Sequence, residues 1–118
     1  MTREFLDSVD DMLNAIQKAR SFCAGMTFNS FAKDDKTVYA VIHAIEIIGE
    51  AAKKVPPSVR KKYPSIPWRD ITGMRDKLVH EYFGVDLQTV WATIREDLPS
   101  LLPLLQRLRD DYSDAAQD

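Results

Sequence analysis

The eleven residues from Met74 to Gly84, MRDKLVHEYFG, set Arg75, Asp76, His80 and Tyr82 inside one short amphipathic stretch. Histidine gains and loses its proton near neutral pH, and arginine presents a rigid fork of donors that suits a phosphate. Such residues could break a ribose phosphodiester. One imidazole would take the proton of the 2′-hydroxyl and another would return one to the departing 5′-oxygen, while guanidinium groups hold the phosphate as it gains charge. That chemistry needs no metal. The same residues also permit an ordinary reading: His80 as a surface histidine near a helix C-terminus, where its charge suits the dipole, and Arg75 as a salt-bridging flank.

Read as a helix at about 100° per residue, the stretch places Ile71, Met74, Leu78 and Tyr82 within about 80° of one another, a core-facing stripe. His80 then points away from the core, one turn after Asp76, whose carboxylate could fix its tautomer. Arg75 and His80 lie about 140° apart and do not share a face. A second chain could unite them: if Asp76, Val79, His80 and Phe83 face a two-fold partner, two copies of Arg75 and His80 converge in one cleft. The expectation is a dimer formed through the motif-bearing helix.

The elements that must hold this stretch are helices. Phe5, Val9, Met12, Leu13, Ile16, Ala19, Phe22 and Cys23 recur at steps of three and four, predicting a helix over about 3–23. A loop, CAGMTFNSF, follows. Val38, Val41, Ile42, Ile45, Ile48, Ala52 and Val55 predict a second helix from about Asp34 until Pro56 and Pro57 end it. A third helix is expected over Trp68–Phe83, with Trp68 plugging the core and Gly84 as its left-handed cap. A fourth begins at an Asp86 N-cap, and a break or kink near Leu98 leads to a fifth, with Pro99 in its first turn, reaching about Tyr112. No segment sustains a period of two. The fold class expected is all-α, an antiparallel bundle of about four to five helices. It occupies residues 1–112 as one domain, with 113–118 as a frayed tail.

Composition narrows the function classes. The 118 residues are 45% hydrophobic and 29% charged, the balance of an ordinary globular domain. No apolar run reaches the length of a membrane span and the N-terminus lacks the order of a signal peptide, so a cytoplasmic protein without membrane contact is expected. One cysteine and two histidines imply no disulfide and no metal cluster, and no cofactor is expected. His43, within reach of Glu46, reads as structural. A net charge of −2 excludes bulk electrostatic gripping of nucleic acid. A local patch remains: Lys53, Lys54, Arg60, Lys61 and Lys62 in KKVPPSVRKK form either a solvated loop or a weak RNA contact.

RDKLVHEY resembles the R-(polar)-x-x-x-H-x-Y signature of the HepT-like branch of the HEPN superfamily. IIGEAAKKV (47–55), IPWRDITGMRDKLVHEYFGVD (66–86), VW (90–91) and DLP (97–99) are similar to the same family in order and spacing. The residue after the arginine is often asparagine there; here it is Asp76. The resemblance implies a helical homodimer acting as a metal-independent endoribonuclease, the toxin of a pair whose antitoxin is an MntA-like nucleotidyltransferase. It makes Arg75 and His80 the catalytic pair supported by Asp76, and Tyr82 the acceptor of AMP from the antitoxin. A second reading is a non-catalytic subunit that presents substrate or nucleotide to such a nucleotidyltransferase.

Overall fold

The computed structural model describes residues 4–74, 76, 79–80 and 84–117. Helix α1 (Phe5–Phe22) and α3 (Asp35–Lys53) form the central pair. Phe5, Val9, Met12, Ile16 and Ala19 of α1 are buried against Val41, Ile45 and Ile48 of α3, the stripes that the periodicity marks. Between them the expected loop contains a short helix α2 (Phe28–Ala32). Its capping box is closed by Thr27 and Ser30: Ser30 N–H donates to Thr27 Oγ1 at 3.1 Å and Thr27 N–H to Ser30 Oγ at 3.0 Å. Asp34 caps α3, its Oδ1 accepting from Thr37 N–H at 3.1 Å.

After α3, Pro57 occupies the first turn of a one-turn helix α4 (Pro57–Arg60). Helix α5 (Trp68–Thr72) then buries Trp68 and Ile71 and packs on α3. Gly49 makes the approach close: a Cβ there would stand 3.4 Å from the Ile71 carbonyl oxygen and 3.8 Å from that of Thr72.

The single third helix over Trp68–Phe83 is corrected at this point. Helix α5 ends at Thr72 with Gly73 as its cap, helical backbone resumes at Met74 and Asp76, and Val79–His80 (β1) pairs antiparallel with Gly84–Val85 (β2), Val79 opposite Val85 and His80 opposite Gly84. Gly84 does hold a positive φ of 78°, but as part of a hairpin rather than as a helix cap. β-branched Val79 and Val85 suit the pleat, whereas a helix gains little from them.

Asp86 caps α6 (Leu87–Ala92), accepting from Thr89 N–H at 3.1 Å and from Thr89 Oγ1 at 2.8 Å. The irregularity expected near Leu98 is a π-helical turn, Thr93–Asp97, and not a break: it runs without interruption into α7 (Leu98–Gln117). A widened turn accommodates the irregularity just ahead of Pro99, which sits in the first turn of α7. Helix α7 extends past Tyr112 into the segment assigned to a frayed tail. Leu98, Leu101, Leu105 and Leu108 bury its inner face, and Arg109 Nε reaches Asp10 Oδ1 of α1 at 2.7 Å. Among the described residues the architecture is all-α but for the two-residue strands.

Candidate functional site

Two fixed posts hold the chemistry-bearing stretch. On one side is α5, docked on the Gly49 segment of α3 and followed by buried Met74; on the other is the Asp86 cap at the start of α6. Asp76 is exposed, and its backbone N–H donates to the Gly73 carbonyl at 3.1 Å. His80 lies in β1, where the backbone is extended and paired with Gly84. Arg75 and Tyr82 lie outside the described residues.

This backbone removes the helical faces expected for the stretch. Because Val79–His80 is strand, the i,i+4 relation of Asp76 to His80 and the helical face of Asp76, Val79, His80 and Phe83 no longer follow.

The basic stretch divides into an inward-turned arginine and exposed lysines. Arg60 is turned inward onto the exit of α3: its Nε donates to the Val55 carbonyl at 2.9 Å and its Nη2 to those of Ala52 at 2.9 Å and Lys53 at 3.1 Å. Its guanidinium also lies 5.9 Å from the ring centre of Trp68, whose Nε1 donates to the Tyr63 carbonyl at 3.2 Å. Arg60 is therefore a C-terminal cap with its Nε and Nη2 donors engaged by the main chain. Lys53 pairs with Glu50 at 3.1 Å on the surface. Lys54, Lys61 and Lys62 are exposed.

Sequence reasoning missed a cavity of about 490 Å³ beside the stretch, lined by Asp70, Met74, Thr89, Thr93, Asp97 and Leu101 among others. Two carboxylates and several hydroxyls over an apolar floor suit a cationic or hydroxyl-rich group rather than a phosphate. Its residues come from α5, α6, the π turn and α7, so no linear motif marks it. His43 is exposed on α3, lining a groove against α1. Among the described residues no group of three or more histidine, cysteine or acidic side chains could hold a metal, and no helix is long and apolar enough to cross a membrane. Burial pushes the Cys23 thiol up, Arg95 opposing it in part.

A small helical bundle carrying a polar stretch between α5 and α6 is a class of fold rather than a function. Comparison with known proteins supplies the family. The model for ribonuclease HepT-like proteins matches residues 12–108, and the chain belongs to that family, within the HEPN superfamily. A protein of Thermococcus cleftensis named "Probable ribonuclease HepT" is 45% identical over 109 residues, covering 92% of this chain and 99% of that one. A protein of Methanocaldococcus jannaschii provisionally named an RNase is 39% identical over 108 residues, 92% of this chain and 84% of that one. Another, from Caldanaerobacter subterraneus, also provisionally named an RNase, is 47% identical over 77 residues, 65% of this chain and 69% of its own. No solved structure matches the chain.

Proposed function

We propose that this protein is a metal-independent endoribonuclease, the toxin of a toxin–antitoxin pair. The observation that carries the reading is membership of the ribonuclease HepT-like family together with the intact order Arg75, Asp76, His80, Tyr82. In this reading His80 takes the proton from a ribose 2′-hydroxyl as that oxygen attacks phosphorus. The 5′-oxygen leaves with a returned proton, and Arg75 neutralises the charge that builds on the phosphate oxygens. Asp76 supports the pair, and the products are a 2′,3′-cyclic phosphate and a 5′-hydroxyl. Two copies of the chain bring two histidines to one cleft, one as base and one as acid.

The partner in this reading is an MntA-like nucleotidyltransferase antitoxin that transfers AMP from ATP to the Tyr82 hydroxyl, releasing pyrophosphate. The added phosphodiester charge and nucleotide bulk pair with Arg75 and exclude RNA. Lys54, Lys61 and Lys62 supply weak contacts to the RNA backbone.

The test is cleavage of a labelled RNA, in EDTA, by protein freed of antitoxin and of AMP. Cleavage should yield cyclic phosphate ends and vanish in His80→Ala and Arg75→Ala. Activity that requires magnesium and survives His80→Ala would overturn the reading in favour of a subunit that only presents substrate or nucleotide.

A further inference from the structure

Helix α3 turns one ridge to solvent. Lys36, Tyr39, His43, Ile47 and Glu50 are all exposed, and at about 100° per residue they fall within an arc of about 80° centred on His43. Tyr39 is 75% exposed and Ile47 37%; with Phe22 at 44%, at the end of α1, they are the large exposed hydrophobics among the described residues. Phe22, Ala40, Ala44 and Ile47 line a groove of about 580 Å³ between α1 and α3. Large apolar side chains gathered on one face mark a contact surface, and the two alanines permit a close approach.

We propose that this ridge is a two-fold interface between two copies of the chain, with their α3 helices antiparallel and crossing at His43. The occupant follows from the order of the residues. In an antiparallel crossing centred on position 43, residues equally far before and after it face each other. Lys36 then meets Glu50 of the second copy, and Tyr39 meets Ile47, each pair occurring twice. A parallel arrangement would set Lys36 on Lys36 and Glu50 on Glu50. A two-fold contact requires such a self-complementary order, and a heterologous partner does not. Glu50 now pairs with Lys53, but the two side chains are 70% and 56% exposed, and a contact so screened is readily exchanged for another. The ridge belongs to α3 alone, so the interface does not depend on the ribonuclease reading; if the motif segments also pair, the two contacts together assemble four chains.

Size-exclusion chromatography with light scattering at micromolar concentration tests this. The wild type should run as an oligomer, and Tyr39→Glu combined with Ile47→Glu should halve its mass, with the helical circular dichroism and thermal midpoint unchanged. Lys36→Glu and Glu50→Lys should each weaken association up to about tenfold, and the double reversal should restore it. Equal masses for wild type and the Tyr39→Glu, Ile47→Glu variant would overturn the proposal and leave the ridge to a different partner. Single reversals that weaken association without rescue by the double would overturn the antiparallel register and the proposal with it.

Discussion

Removing the Arg60 side chain separates a structural cation from a nucleic-acid contact. Arg60→Ala deletes three hydrogen bonds, of 2.9, 2.9 and 3.1 Å, to the carbonyls that end α3, and the contact with Trp68 at 5.9 Å. A hydrogen bond from a charged donor contributes about 1.5–3 kcal/mol, and the cation–π contact about 0.5–1 kcal/mol at a partly exposed site. These terms share one side chain and water can replace part of the capping, so the net loss should be about 3 kcal/mol. For a domain of this size that lowers the thermal midpoint by about 12 °C. Differential scanning calorimetry reads the shift, and RNA affinity measured well below the midpoint should change little. Lys61→Ala and Lys62→Ala should do the reverse, leaving the midpoint within about 2 °C and flattening the salt dependence of RNA binding. An Arg60→Ala protein with a wild-type midpoint and lost RNA affinity would refute the assignment of Arg60 as a cap.

Leu98, fully buried where the π turn meets α7, should cost about 3 kcal/mol on change to Ala, read as a lowered urea midpoint. The Tyr63 hydroxyl is held up to about 12 by burial and by the bond it donates to Asp111 Oδ2 at 2.7 Å. Since the unfolded chain ionises near 10 and the folded one only near 12, the stabilisation is full below about pH 10 and falls as pH rises between the two; Tyr63→Phe should remove that slope from an alkaline unfolding series. Asp86→Ala removes the α6 cap and should cost about 1 kcal/mol, together with a drop in ribonuclease activity because the hairpin bearing His80 ends beside it. Cys23, buried and with its thiol pushed up, should react with a disulfide reagent only as fast as the protein opens, and immediately in denaturant.

The long helices were legible because each buries a continuous stripe, and 3.6-residue periodicity survives in α1, α3 and α7. The cap at Asp86 and the start of α3 at Asp34 were equally readable, since a short acidic side chain before an apolar run suits a helix N-terminus. The stretch from Met74 to Gly84 misled because Ile71, Met74, Leu78 and Tyr82 satisfy helical spacing while Gly73, Val79 and Gly84 favour interruption and a hairpin; periodicity outweighed turn chemistry in the sequence reading. Arg60 hid in a basic run for a different reason. Its partners are main-chain carbonyls, which every residue carries, so nothing in the local composition distinguishes it from Lys61. The cavity at Asp70 and Asp97 depends on four elements meeting, which no single window contains.

The packing of Tyr112 edge-on to Phe5, with ring centres 4.9 Å apart, beside the Arg109–Asp10 bond, bears on how the chain reaches its fold. These contacts join segments about one hundred residues apart, whereas α1 and α3 meet across one short connection. Loop-closure entropy makes the distant pairing the slower event, so the α1–α3 hairpin should form first and α7 should dock last. A circular permutant that links the two ends and opens at the Ala24–Gly25 turn would reverse those separations. It would keep the same native contacts while making the docking of α7 a local step and the more extensive α1–α3 packing the distant one, so its folding arm should be the slower of the two.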